Sequence, residues 1–127
     1  MRSELERLCD RENVSIEAEY GAVEVPEGWH SGTHPYRVTL KYQRRQLTTS
    51  FFMGPANEEE PTAASVLHCL IGDVSAGELS FEEFCSDLGY EEDSRKAERI
   101  WKACAAMAPK VKRFLGASFE KFERAEH

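Results

Sequence analysis

The segment from Asp73 to Phe84 holds carboxylates around a central glycine, and its second half resembles the calcium-binding loop of an EF-hand. Such a loop needs side-chain oxygens at its leading positions. When Gly77 is aligned with the required glycine and Glu83 with the bidentate glutamate, residues without a side-chain oxygen occupy those positions. They are Gly72, Val74 and Ala76. We therefore predict a loop followed by a well-capped helix, and no calcium site.

Two pairs of side chains have the types needed for zinc binding or nucleophilic catalysis. His30 and His34 are four residues apart, but Gly32 and Pro35 predict a loop, where this spacing does not bring two ligands together. His68 and Cys69 are neighbours on a predicted helix and should point about 100° apart. No glycine-rich phosphate loop or nucleophile motif is present. We predict no catalytic residue, no metal site and no cofactor, and hence a protein that is not an enzyme.

The charge distribution is the strongest signal in the sequence. The 127 residues have a formal net charge of −7. Residues 46–94 contain eleven acidic side chains and no lysine or arginine, whereas residues 95–127 contain nine basic and four acidic side chains. A surface of one sign selects the partners that it meets.

The acidic stretch over residues 46–94 has two interpretations. It is either an ordinary soluble surface, with carboxylates favoured at helix starts, or a face that imitates the spacing of phosphates and occupies a basic groove on a partner. The second interpretation predicts partner contacts through carboxylates in loops and helix starts. These are Glu58, Glu59, Glu60, Glu91, Glu92 and Asp93.

The basic C-terminal part suggests an alternative function in nucleic-acid binding. Arg95, Arg99 and Lys102 follow one helix face, on which they could track phosphates, and Lys110 and Lys112 extend the set. The negative net charge disfavours general affinity for nucleic acid. Nucleic acid is therefore the secondary expectation, behind a partner protein or ribonucleoprotein with a basic surface.

The elements that position these residues begin with a helix and a sheet. Ser3 and Glu6 predict a capped first helix, and apolar alternation predicts a strand over residues 14–20. A loop is expected from Gly21 to Tyr36. Alternation over residues 37–53 predicts a hairpin whose turn lies near Arg44-Arg45.

The second half of the chain is predicted to be helical. Thr62 is expected to cap a helix closed by Gly72, and a capping box of Ser80 and Glu83 is expected to begin a helix ended by Gly89. Asp93 or Ser94 should open the longest helix, which Pro109 should kink or split. Gly116 should end it, and Ser118 should cap a last short helix. The prediction is an α+β fold: a small three-stranded antiparallel sheet packed against four to five helices.

The length predicts a single domain over residues 1–127, with the helix and sheet in 1–54 and the helical part in 55–127. No apolar run is long enough to cross a membrane, and the N-terminus lacks the apolar core of a signal peptide, so we expect a cytoplasmic location. The four scattered cysteines are expected to be reduced and to serve as small apolar residues in helices.

Several runs of residues carry a resemblance to a known group of proteins. They are 51–54 (FFMG), 61–67 (PTAASVL), 81–90 (FEEFCSDLGY) and 93–97 (DSRKA). Over roughly residues 36–115 the chain resembles small cytoplasmic proteins of tailed bacteriophages and prophages. The resemblance implies a phage or mobile-element origin and supplies no catalytic residues. Small acidic phage proteins are often antagonists of host nucleases, including anti-CRISPR proteins, so by analogy we expect a non-enzymatic inhibitor.

Overall fold

The computed structural model describes residues 2–57 and 59–126 and confirms the α+β fold, with a three-stranded antiparallel sheet and five α-helices in this part of the chain. The strands are β1 (Ser15–Tyr20), β2 (His34–Tyr42) and β3 (Arg45–Met53). The helices are α1 (Glu4–Arg11), α2 (Ala63–Gly77), α3 (Phe81–Leu88), α4 (Arg95–Leu115) and α5 (Phe119–Glu126), with a 3₁₀ turn at Gly116–Ser118.

The chain divides into two compact units, residues 1–66 and 67–127, and the boundary falls inside α2. Each unit has its own buried apolar residues and is described separately below. The expectation that the whole chain is one domain stays a prediction.

Helix α1 begins as the sequence predicts. The backbone N–H of Glu6 donates to Ser3 Oγ at 3.1 Å, and that of Ser3 donates to Glu6 Oε1 at 3.2 Å. This reciprocal pair satisfies two donors that would otherwise have no partner at a helix start. The apolar side of the helix is buried through Leu5, Leu8 and Cys9.

The sheet has the order β1-β2-β3, and both neighbouring pairs are antiparallel. Val38, Leu40 and Tyr42 alternate as buried residues along β2, which confirms the predicted period of two. On the corresponding side of β1, Ile16 is only half-buried, and Ala18 and Tyr20 are exposed. Strand β2 begins at His34, inside the segment predicted to be a loop.

The β2–β3 hairpin turns at Gln43-Arg44, one residue earlier than predicted. Tyr42 pairs with Arg45 across the hairpin, so only two residues form the loop. Both have positive φ, 49° at Gln43 and 67° at Arg44, as a type I′ turn requires. This turn matches the twist of the two strands but favours glycine and asparagine at these positions.

Helix α2 is longer than the sequence predicts. Thr62 and Ser65 exchange hydrogen bonds at its start, but the helix continues through Gly72 to Gly77, so the expected stop at Gly72 is wrong. A glycine inside a helix costs about 1 kcal/mol relative to alanine, and Val74, which is fully buried, favours continuation by packing. The expected loop over residues 73–77 is therefore helix, which also removes the calcium-loop geometry.

Helices α3 and α4 have the predicted caps. Ser80 and Glu83 form a capping box at the start of α3, and Gly89 ends that helix with a left-handed backbone. Ser94 caps α4, which runs as one helix through Pro109, so the expected split is wrong. A proline removes only one hydrogen bond of the helix, and its flanking residues Ala108 and Val111 are buried.

A small core in the second unit is built on Phe84, Cys85 and Ala97, and all three are buried. Trp101 of α4 packs at its edge and is only half-buried. Its Nε1–H donates to the carbonyl of Leu79 at 3.0 Å. The indole thus ties α4 to the turn between α2 and α3.

Candidate functional site

Two groups of acidic residues in the second unit differ in their ion pairing. One group is paired with cations: Glu78 accepts from Lys112 Nζ at 2.6 Å, Glu98 accepts from Lys102 Nζ at 2.7 Å, and Glu126 contacts His68. The other group, which we name the α3 acidic segment, consists of exposed carboxylates on α3 and on the loop that follows it. Its members are Glu82, Asp87, Glu91, Glu92 and Asp93. None of them has an ion pair among the residues that the structure describes.

Backbone and ring contacts hold this segment in place. The N–H of Tyr90 donates to the carbonyl of Cys85 at 2.9 Å, and the Tyr90 ring is stacked on that of buried Phe84, with centroids 6.0 Å apart. The N–H of Ser94 then donates to the carbonyl of Glu91 at 3.0 Å, which closes a turn over residues 91–94. The carboxylates are therefore presented by an ordered loop between two capped helices.

The predicted contact residues belong to both units. Glu91, Glu92 and Asp93 are consecutive and exposed in the second unit, and Glu59 and Glu60 are exposed in the first. The Glu59 N–H donates to Asn57 Oδ1 at 2.9 Å, which fixes the start of the loop that carries Glu59 and Glu60. Glu58 lies outside the described residues.

The alternative, basic set on α4 is partly neutralised. Lys102 pairs with Glu98 and Lys112 with Glu78, whereas Arg95, Arg99 and Lys110 are exposed and make no ion pair within the described residues. The hydrogen bond from Lys102 and its positive charge lower the pKa of Glu98. Two of the five proposed phosphate-binding cations are therefore already occupied by carboxylates.

The histidine and cysteine side chains form no metal cluster of three or more ligands in residues 2–57 and 59–126. His30 Nδ1 accepts the Gly32 N–H at 2.9 Å, while the His34 ring lies against Tyr20 with centroids 5.9 Å apart. His30 and His34 thus each contact a different neighbour.

The thiols are free and are not activated as nucleophiles. Desolvation by burial, followed by the charge of a nearby carboxylate, raises the pKa of Cys9 and of Cys104 to about 11. A nucleophilic cysteine requires a lowered pKa. Cys69 is exposed, so the prediction that it is a core residue is wrong, because it lies one position beside the buried stripe of α2.

A further polar feature, which the sequence does not indicate, lies at the tip of the β2–β3 hairpin in the first unit. A cavity of about 480 Å³ is lined there by Lys41, Arg44 and Arg45 and by Asn13 from the end of α1. Two parts of the chain about thirty positions apart build it, and the positive φ of Gln43 and Arg44 in its turn is apparent only in the structure.

Comparison of the chain with protein-family models, with curated proteins and with solved structures finds no match. The resemblance to phage proteins therefore stays a prediction. Within the described residues, no helix combines the length and the apolar character needed to span a membrane.

Proposed function

We propose that this protein is a non-enzymatic inhibitor of phage type that docks through carboxylates on a basic, nucleic-acid-handling host complex. The observation that carries the proposal is the α3 acidic segment, whose exposed carboxylates have no ion pair among the described residues, whereas three other acidic residues of the same unit do. A fixed group of unneutralised charges attracts a surface of opposite sign and orients the encounter.

Helix capping explains only part of this segment. Glu83 completes the capping box of α3, and Glu82 stands in the first turn, where the helix dipole favours a negative charge. Glu91, Glu92 and Asp93 lie in a loop before Ser94, which is the residue that caps α4. Their side chains make no hydrogen bond in the described structure, so local stability does not account for three consecutive acids.

The surface around these charges favours a protein partner. Leu88 is 55% exposed at the end of α3, between Asp87 and the acidic loop, and it offers an apolar contact within a polar surround. Protein interfaces combine a desolvated apolar centre with a polar rim. By class-level analogy with small acidic phage proteins, the partner is a host defence nuclease or ribonucleoprotein, inhibited in the anti-CRISPR or anti-restriction manner.

The proposal is tested by capture of purified host defence nucleases on the immobilised protein. A triple variant, Glu91→Lys with Glu92→Lys and Asp93→Lys, should abolish capture, and raising the salt from low to moderate concentration should weaken capture by the native chain. The control variant changes the net charge equally at exposed acidic positions elsewhere, with Glu24→Lys, Glu27→Lys and Glu120→Lys, and should retain capture. Capture that survives reversal of the α3 acidic segment would refute the carboxylate model.

The alternative function, nucleic-acid binding through α4, rests on Arg95, Arg99 and Lys110, which are the cations of that set without an ion pair in the described residues. A gel shift with short duplex and single-stranded DNA separates the two functions. Retention of DNA that falls steeply with salt and is lost on Arg95→Gln with Arg99→Gln would favour the alternative.

A further inference from the structure

We propose that the tip of the β2–β3 hairpin is a binding site for the phosphate group of a phosphorylated ligand. The site lies in the first unit and carries positive charge, so it is independent of the α3 acidic segment. Lys41, Arg44 and Arg45 contribute three cations to the cavity lining, and no carboxylate is among the lining residues that the structure describes. A guanidinium matches the oxygens of phosphate in a bidentate geometry, which makes arginine well suited to such a group.

The backbone around this cavity supports a binding role. Among the described residues, the non-glycine residues with positive φ are Asn13, Gln43 and Arg44, and all three line this one cavity. Left-handed backbone is unfavourable for glutamine and arginine, which have a Cβ and lack the short polar side chain of asparagine. The turn itself would favour Asn-Gly. The turn geometry thus does not account for the residue types at Gln43 and Arg44, and unfavourable backbone of this kind concentrates at functional sites.

A chain of hydrogen bonds fixes one wall of the cavity in advance. Tyr42, only 2% exposed, donates its hydroxyl to Glu12 Oε1 at 3.0 Å and accepts from Gln43 Nε2 at 3.1 Å. Gln43 Oε1 in turn accepts from Arg45 Nη2 at 3.3 Å, and the Arg45 guanidinium lies 5.7 Å from the centre of the Tyr42 ring. Gln43 and Arg45 are thereby oriented before a ligand arrives, which lowers the entropy cost of binding.

Two of the cations are accessible for a ligand. Arg44 is exposed and makes no ion pair or side-chain hydrogen bond within the described residues. Lys41 shares its Nζ with Glu17 Oε1 at 2.9 Å, but both side chains are exposed, and a pair of that kind is weak enough for a phosphate to replace. The amide groups of Asn13 and Gln46 line the same cavity and supply neutral donors.

The cavity is open to solvent, so its volume does not set an upper limit on the ligand. A volume of about 480 Å³ lies in the range of small-molecule sites and leaves room for the phosphate-bearing part of a nucleotide. A phosphate group of this kind comes from a free nucleotide or from the end or backbone of an oligonucleotide. The chemistry recognised is the same in each case, and titrations with different phosphate compounds distinguish the sources.

The test is titration of the full chain with inorganic pyrophosphate, followed by backbone amide chemical shifts. We expect saturable binding, with the largest shifts at residues 41–46. Arg44→Gly should weaken binding about tenfold or more, because a charge-assisted hydrogen bond contributes at least that factor. The same substitution should raise the melting temperature, because glycine suits the left-handed position. A gain in stability together with a loss of binding is not expected of a residue with a purely structural role.

The control variant is Lys110→Gln, which removes a positive charge from an exposed position on α4. It should change the pyrophosphate affinity by less than about twofold, since Lys110 does not line the cavity and the effect of an exposed charge outside the site is screened by salt. Absence of saturable binding, an unchanged affinity in Arg44→Gly, or an equal loss in Lys110→Gln would each overturn the site. Tighter binding of a mononucleotide assigns the site to a free nucleotide, and affinity that rises with oligonucleotide length assigns it to a nucleic-acid strand; each result supports the phosphate site.

Discussion

Gly77 of α2 and Cys104 of α4 approach each other backbone to backbone. A Cβ added to Gly77 would lie 2.5 Å from the carbonyl carbon and oxygen of Cys104 and 2.6 Å from the nitrogen of Ala105. Backbone atoms cannot move aside as a side chain can. Gly77→Ala should therefore push the two helices apart and destabilise the protein by about 1–3 kcal/mol, the usual range for overpacking. Urea unfolding with and without the substitution measures the loss.

The matched control for Gly77 is the other glycine of α2. Gly72 is exposed, and an added Cβ would meet nothing within 4 Å. Gly72→Ala should stabilise the protein by about 0.5–1 kcal/mol, because alanine restricts the unfolded chain and favours helix. A stabilisation of both variants would show that α2 and α4 are not in close contact at this point.

Local signals explain which parts of the fold could be predicted from the sequence. The capping boxes of Ser3 with Glu6 and of Ser80 with Glu83 each depend on residues three positions apart, and both are present. The end of α2 could not be predicted from nearby residues, because the burial of Val74 outweighs the low helix propensity of Gly72. Tertiary packing commonly overrides propensity in this way.

The candidate sites show the same division between local and distant information. The loop part of the α3 acidic segment can be predicted from the sequence, since Glu91, Glu92 and Asp93 are consecutive. Of the two ion pairs on α4, only one joins residues that are close in the sequence. Glu98 is four residues from Lys102, whereas Glu78 is 34 residues from Lys112. The hairpin cavity likewise needs the three-dimensional approach of Asn13 to the β2–β3 turn.

The half-buried position of Asp73 predicts a pH-dependent stability. Desolvation raises the pKa of this carboxyl, an effect partly offset by a hydrogen bond from Cys104 Sγ–H at 3.8 Å. The folded state then binds the proton more tightly than the unfolded chain, so stability falls as the pH rises from the unfolded pKa through the raised folded pKa. Asp73→Asn should stabilise the protein at neutral pH, and the advantage should vanish below the usual carboxyl pKa of about 4. Thermal melts at the two pH values measure this difference.

Glu98 provides a comparison of opposite sign. The hydrogen bond and charge of Lys102 lower the pKa of this exposed carboxyl, so its stabilising effect is present above the unfolded pKa and is lost as the pH falls through the lowered folded pKa. Glu98→Gln should therefore reduce the melting temperature slightly at neutral pH and leave it unchanged in acid. The assignment of the Asp73 effect to desolvation would be wrong if both variants shifted the melting temperature in the same direction at neutral pH.

The two tryptophans should contribute unequally to stability. Trp101 donates a hydrogen bond to Leu79 and lies beside Phe81 with ring centroids 5.5 Å apart, whereas Trp29 is 52% exposed and touches the Phe52 ring. Trp101→Ala should cost about 2 kcal/mol, below the range for a fully buried aromatic because the ring is only half-buried. Trp29→Ala should cost about 0.5 kcal/mol, as is usual for surface substitutions. Equal losses in denaturant unfolding would contradict the placement of Trp101 at the edge of the second unit's core.

Gly89 tests whether the shape of the acidic loop matters for docking as well as its charge. Its φ of 75° lies in the left-handed region, and nothing lies within 4 Å of an added Cβ, so Gly89→Ala changes backbone preference without a clash. Alanine disfavours this conformation by about 1–2 kcal/mol, which should loosen the chain leading to Tyr90 and Glu91. Asparagine tolerates the left-handed region better, so Gly89→Asn should restore part of the loss.

The same two variants should differ in partner capture at a temperature where both are fully folded. We expect Gly89→Ala to reduce capture of the host nuclease and Gly89→Asn to recover it, although neither changes the net charge. Capture that stays at the native level in Gly89→Ala, while reversal of Glu91, Glu92 and Asp93 abolishes it, would mean that the partner senses the charge of the loop and not its geometry. A loss in both variants without a change in melting temperature would instead indicate that the partner contacts position 89 directly, because any side chain would then obstruct it.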